Sequence, residues 1–182
     1  MTEARRAALV AELVRKLREN GSWTGETHVQ KTAYFLQEML GVPLGFRFSL
    51  YKYGPFSFDL RDQLTEMRGL DQLELEPQPR PYGPKLAAGL GADQLRTRFP
   101  KTVRRHSPAL TFVAQEIGPL GVESLERLAT ALMVAKEAPS ADRDERAGLL
   151  HGYKPHVSLE QARQAVDTVE ELNDKAATAL TS

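Results

Sequence analysis

The chain has 182 residues, enough for one sizeable hydrophobic core, and its hydrophobic share of 41% and charged share of 26% are typical of globular proteins. It contains no cysteine, which excludes disulfides, thiol catalysis and thiolate metal sites and agrees with a reducing compartment, so we expect a cytoplasmic protein. The formal net charge is zero and no apolar run approaches the roughly 18 residues that span a bilayer, so we expect no membrane association.

The zero net charge hides an uneven distribution. Residues 80–106 carry seven Lys or Arg against one Asp or Glu, whereas residues 107–182 carry seven against twelve. A basic segment of this kind can bind phosphates or an acidic partner, or it can face the acidic C-terminal part of its own fold. We expect the internal arrangement, in which the segment is neutralised within the protein.

The first forty residues predict two helices. Charges of both signs and apolar residues at helical spacing favour a helix over 4–20, rather than a signal peptide, and Gly21 follows as a C-terminal stop. Thr27 and Gln30 match the capping-box pattern, so a second helix is expected over 28–40.

A strand and a third helix follow. Residues 46–53 alternate apolar, mostly aromatic side chains with polar ones, which is typical of a strand. We expect Gly54 and Pro55 to end this strand, and Ser57 to cap a helix over 58–68.

The next segment is extended and then basic. Two short pieces, 73–77 and 81–88, are separated by a proline-rich turn and predict a small hairpin or wing. The basic stretch 90–106 predicts a short helix over 92–99 and a loop after Pro100.

The remaining chain predicts a helical bundle. Ser107 as N-cap and Pro108 at the first helical position predict a helix over 108–117. Apolar residues at i, i+3 and i+4 predict a longer helix over 122–137.

Two more helices complete the predicted bundle. A polar loop leads into a short helix near 142–150, and Ser158 with Gln161 forms a second capping-box pattern. That pattern should begin a last helix that runs to about residue 178.

These elements predict a mainly α protein with a small β-sheet, of the α+β class. We expect one compact domain, 1–182, in which residues 1–90 form a winged-helix-like α-α-β-α-β-β unit. Residues 91–106 are then a basic connector, and residues 107–182 are the helical part.

Catalytic and metal-binding patterns are missing from the sequence. Four histidines, His28, His106, His151 and His156, are the only side chains suited to acid–base work at neutral pH, and none lies in a metal-binding motif. Phosphate-binding, dinucleotide-binding and nucleophile-elbow motifs are also lacking. We therefore expect no enzyme activity, no cofactor and no metal.

The segment YKYGPFS is the most unusual local chemistry. A structural interpretation explains its glycine, proline and serine as a corner that leads into a helix. It does not explain the aromatic residues around a lysine, because aromatic side chains beside a turn often anchor a binding partner. The candidate partner-binding residues are Tyr51, Lys52, Tyr53, Gly54, Pro55, Phe56 and Ser57.

Nucleic-acid binding is the alternative function. A winged-helix reader needs a basic recognition helix, but the predicted helix 58–68 is nearly neutral, so the basic segment would have to contact phosphates instead. The candidate contacts to nucleic acid or to an acidic partner are Arg96, Arg98, Lys101, Arg104 and Arg105. Zero net charge makes us expect such binding to be weak at physiological salt.

Several segments together resemble a known family. They are QKTAYFLQ at 30–37, YKYGPFS at 51–57, ESLERLATAL at 123–132 and YKPHVSLEQA at 153–162. In this combination the chain resembles the YwgA-like bacterial proteins and the broader SocA-like group, also called Panacea or phage-associated GepA-like proteins. It departs from their pattern at Thr32, where the helix of the family is more apolar.

This resemblance implies a protein partner. Some SocA-like members are antitoxins or proteolytic adaptors that bind a toxin, and others lie among phage-related or defence genes. The partner implied for this chain is therefore a toxin, the target of a protease adaptor or a defence component.

Overall fold

The computed structural model describes residues 1–181, and Ser182, the last residue of the predicted domain, lies outside them. The helices are α1 (Glu3–Glu19), α2 (Glu26–Glu38), α3 (Phe58–Gly69), α4 (Leu90–Arg98), α5 (Pro100–Phe112), α6 (Val122–Glu137), α7 (Arg143–Tyr153) and α8 (Leu159–Thr181). The strands are β1 (Ser49–Tyr51), β2 (Gly54–Phe56), β3 (Leu73–Glu76) and β4 (Lys85–Ala88). The prediction of a mainly α protein with a small β component is confirmed.

The predicted starts of two helices are confirmed by their hydrogen bonds. The side chain of Ser57 accepts a hydrogen bond from the backbone N–H of Leu60 at 3.2 Å, which caps α3. Before α8, the backbone N–H groups of Ser158 and Gln161 each donate to the side chain of the other, at 3.0 and 3.2 Å.

The predicted hairpin after α3 is also confirmed. β3 and β4 pair antiparallel, with Leu73 opposite Ala88 and Glu76 opposite Lys85. This sheet packs against α1, α3 and α4. Its buried side chains therefore belong to the core, while the linking loop faces solvent.

The predicted capping box of α2 is wrong. Gly25 is the N-cap, no side chain caps the helix, and Thr27 already lies inside it. Gln30 instead turns toward buried backbone groups of Ser57, which would otherwise lack partners.

The prediction lacked the strand that begins at Gly54. β1 ends at Tyr51, before Gly54 as expected, but Gly54 opens a return strand, so that β1 and β2 form a separate hairpin before α3. The predicted α-α-β-α-β-β order therefore gains a strand, and residues 1–181 form two small sheets where one was expected.

The basic segment is helical where a loop was predicted. α5 begins at Pro100 and runs straight through Ser107 and Pro108, continuing as a π-helical turn, Val113–Ile117. A proline inside a helix removes one backbone donor. The helix persists because its apolar face is buried, at Val103 and Leu110 among others.

The core surrounds α2. Every residue from 28 to 36 of this helix is buried, which is unusual for a helix that carries several polar side chains. One cluster of buried hydrophobic side chains extends from Ala7 on α1 to Ala176 on α8. Among residues 1–181, no helix is both long and apolar enough to cross a membrane.

Candidate functional site

The candidate site is built on the hairpin of β1 and β2. The two strands pair antiparallel, with Tyr51 opposite Gly54, so Lys52 and Tyr53 form the turn at the tip. Gly54 has a φ of +84° and supplies the left-handed residue that lets the chain enter the return strand. The segment YKYGPFS is therefore a tight hairpin whose tip residues, Lys52 and Tyr53, are exposed.

Two buried lysines hold the backbone of this tip. The Nζ atom of Lys31, on α2, donates a hydrogen bond to the carbonyl oxygen of Pro55 at 2.7 Å. The Nζ atom of Lys154, which follows α7, donates to the carbonyl oxygen of Lys52 at 2.6 Å. Only 1% of Lys31 and 5% of Lys154 is exposed. The charge-assisted hydrogen bond of Lys31 is buried, and that of Lys154 is partly buried.

The return strand is fixed at two further points. Gln30 donates to the carbonyl oxygen of Ser57 at 2.9 Å and accepts from its N–H at 3.0 Å. Gly54 lies so close to α6 that a Cβ atom there would be 2.8 Å from Oγ1 of Thr130 and 3.2 Å from the carbonyl oxygen of Glu126. The same short hairpin is thus in contact with α2, with α6 and with Lys154, which follows α7.

Burial shifts the titration of the groups under the hairpin. Desolvation lowers the pKa of Lys31 to about 8; the Glu126 carboxylate opposes this shift, and the Lys154 ammonium adds to it. Desolvation also lowers the pKa of Lys154 and raises the pKa of Glu126. Two buried lysines thus share one partly buried carboxylate, which leaves an excess of positive charge beneath the hairpin.

The side chains of the hairpin face outward. Tyr51 is 56% exposed and Tyr53 is 52% exposed, and Leu50 and Phe58 are exposed as well. The rings of Tyr51, Phe56 and Phe58 contact one another, with centroid distances of 5.8 Å, 5.6 Å and 5.1 Å. These five residues form what we call the hairpin surface.

The seven residues predicted to bind a partner lie together but divide into two groups. Three are buried and hold the backbone: Gly54, Pro55 and Ser57. The others are exposed or half-buried: Tyr51, Lys52, Tyr53 and Phe56. The side chains that hold this backbone, Gln30, Lys31 and Lys154, were not predicted to do so, because no local pattern connects positions so distant in the chain.

The basic segment is not neutralised as expected. Arg96 pairs with Asp93, on its own helix, at 3.1 Å. The other four predicted contacts are exposed and form no ion pair with any residue that the structure describes: Arg98, Lys101, Arg104 and Arg105. We call these four residues the basic stripe, because three of them recur at i, i+3 and i+4 along α5.

Three acidic residues of α7 and α8 pair with arginines of the same two helices. Asp167 pairs with Arg143, Asp144 with Arg163, and Glu170 with Arg146. These three carboxylates are therefore compensated locally rather than by the basic segment.

Two of the four histidines contact backbone carbonyl groups. Nε2 of His28 lies 3.1 Å from the carbonyl oxygen of Leu120, and Nδ1 of His151 lies 2.7 Å from that of Val157. Within residues 1–181 no three His, Asp or Glu side chains are grouped so as to hold a metal ion.

Comparison with known proteins gives no family: no family model matches the chain, and no curated protein matches it. The resemblance to the YwgA-like and SocA-like proteins therefore stays a prediction.

Gly54→Ala should destabilise the fold more than the same change at another left-handed glycine. Gly45 has a similar φ of +77° but no atom within 4 Å of an added Cβ, so it isolates the backbone cost. We expect Gly45→Ala to lose about 1 to 2 kcal/mol from the left-handed backbone. Gly54→Ala should lose roughly 1 to 3 kcal/mol more, because its Cβ overlaps α6. Urea unfolding measures both, and equal losses would show that the hairpin can move away from α6.

Lys31→Met should remove part of the pH dependence of stability. The pKa of Lys31 falls in the folded protein from 10.5 to about 8, so at intermediate pH the unfolded chain binds more protons. The free energy of unfolding therefore rises with pH in this range, by about 2 kcal/mol from pH 7.5 to pH 9.5 for this one group. Urea unfolding at both pH values should show that rise in the wild type and in the exposed control Lys101→Met. An equal rise in Lys31→Met would contradict this assignment.

Proposed function

We propose that the protein is a non-enzymatic regulatory module that binds another protein through the hairpin surface. The observation that carries this proposal is a cluster of exposed aromatic rings on a backbone that buried side chains hold in place. Contiguous apolar surface on a soluble fold commonly marks an interaction site. Tyrosine rings are frequent anchors in such sites.

The rigid backbone favours binding. A flexible loop loses conformational entropy when a partner orders it, and this loss weakens the complex. The hairpin is already ordered by Lys31, Gln30 and Lys154, so its rings are presented at little further cost.

The kind of partner follows from the family resemblance alone. An antitoxin or a protease adaptor acts by binding a second protein, and neither role needs a catalytic residue. A toxin, the target of an adaptor or a defence component is therefore the partner that we propose.

Co-purification from the native host tests the hairpin surface. We expect Tyr51→Ala and Phe58→Ala to retain the wild-type melting temperature within a few degrees but to recover at least about 10-fold less partner, as loss of an interface anchor does. The matched control is Tyr82→Ala, because Tyr82 is 61% exposed but lies outside the hairpin. Equal recovery of the partner by all variants would rule the hairpin out, as would equal loss in the control.

A second candidate function is binding to nucleic acid through the basic stripe. What favours it is that four exposed cations lack a carboxylate partner in the described part of the chain. α3 does not fit the role of a recognition helix, because Arg61 already pairs with Asp62 at 2.8 Å. Any contact would therefore run along α5 and read phosphates rather than bases.

Salt dependence tests the basic stripe. If four phosphates are neutralised, the logarithm of the affinity for duplex DNA should fall with the logarithm of salt by about 0.9 per phosphate. Replacing Arg104 and Arg105 together by Ala should weaken binding and flatten that slope by about 1 to 2. Arg47→Ala serves as the control, since Arg47 is exposed but paired with Asp59. A slope that the double variant leaves unchanged would exclude the basic stripe.

A further inference from the structure

A cavity of about 740 Å³ opens beside the tip of the hairpin. Its walls come from Lys52 and Tyr53 at the tip, from Glu126 and Arg127 on α6, and from Lys154. We call it the tip cavity. Cavities of this size commonly accommodate a small ligand.

The tip cavity contains several charges without a close ion-pair partner. Lys52, Arg127 and Lys154 are positive, and Glu123 and Glu126 are negative. Among the described residues none of the five forms an ion pair within 4.0 Å. Positive groups thus outnumber negative ones in the wall.

The charge behind the wall has the same sign. Lys31 lies beneath the hairpin, interacts with Glu126 and Lys154, and forms no ion pair with a described residue. A buried ammonium group without a close counter-charge is costly. An anion in the tip cavity would supply part of the missing negative charge.

The wall chemistry favours a carboxylate over a phosphate. An arginine such as Arg127 can donate two parallel hydrogen bonds to either anion, so the preference comes from the acidic residues of the wall. Glu123 and Glu126 would repel a doubly charged phosphate more strongly than a singly charged carboxylate. Tyr53 belongs to both the hairpin surface and the tip cavity, so one partner can contact both.

We propose that the tip cavity receives carboxylate side chains of the protein that docks on the hairpin surface. This proposal rests on the proposed function and adds to it a preference for partners with acidic side chains. The aromatic rings supply apolar contact, while the cavity selects partners that place Asp or Glu beside the apolar contact.

A peptide titration followed by ¹H–¹⁵N NMR tests the tip cavity directly. The probe is the blocked tetrapeptide Ac-Ala-Glu-Glu-Ala-NH₂, with Ac-Ala-Gln-Gln-Ala-NH₂ as its neutral isostere and sodium glutarate as a free dicarboxylate. We expect saturable shifts of the backbone amides of Arg127, Lys154 and Gln161 with the acidic peptide, and none with the neutral one. Arg127→Gln should weaken the acidic peptide about 10-fold, as loss of one charge-assisted contact does. Arg5→Gln, at an exposed arginine of α1 that belongs to neither candidate surface, should leave it unchanged.

Three outcomes would overturn the proposal. They are the absence of saturable shifts with the acidic peptide, equal shifts with the neutral peptide, and binding of glutarate alone, which would indicate a free small acid as the ligand. The titration needs no partner protein, so its failure leaves the hairpin surface untouched. Conversely, failure of co-purification to depend on Tyr51 leaves the titration result standing.

Discussion

The carbonyl oxygens of Lys52 and Pro55 each accept a hydrogen bond from a buried lysine. Taking an ammonium group out of water costs several kcal/mol, and a charge-assisted hydrogen bond returns only about 1.5 to 3 kcal/mol. The contact is therefore sustained by the apolar packing of α2 and α6, which brings Lys31 to the hairpin. In turn, Lys31 provides a partner for the carbonyl group of Pro55, which the hairpin would otherwise bury without one. At this point of the fold, the apolar packing and the hydrogen bonds to the carbonyl groups therefore depend on each other.

This arrangement separates two roles within one short segment. The backbone of the hairpin faces inward, where Gly54 permits close contact with α6 and Ser57 serves both Gln30 and the cap of α3. The rings of Tyr51 and Tyr53 face outward and take no part in these backbone contacts. A structural interpretation of YKYGPFS and a binding interpretation are thus compatible, because they concern different atoms.

Sequence periodicity was sufficient for the long helices, since α6 and α8 carry a clear apolar stripe. Sequence patterns gave wrong predictions where the same residue type can fill two different structural roles. Gln30 fits a cap but binds Ser57 across the fold, and Pro108 fits a helix start but lies inside α5. The aromatic half of the site could be predicted because its residues are adjacent. The contacts that fix its backbone could not be predicted, because Lys154 and Lys52 are 102 residues apart in the chain.

The net charge of the chain did not predict the exposed basic stripe, for a related reason. A sum over residues ignores distance, whereas the energy of an ion pair falls with separation and with screening. Arg143 and Arg163 pair with Asp167 and Asp144 within α7 and α8, so the negative charge of those pairs is compensated locally and not by Arg104 and its neighbours. A neutral protein can therefore present a basic stripe. The two candidate surfaces differ in physical kind, because burial of aromatic rings depends little on salt while neutralisation of phosphates depends on it steeply.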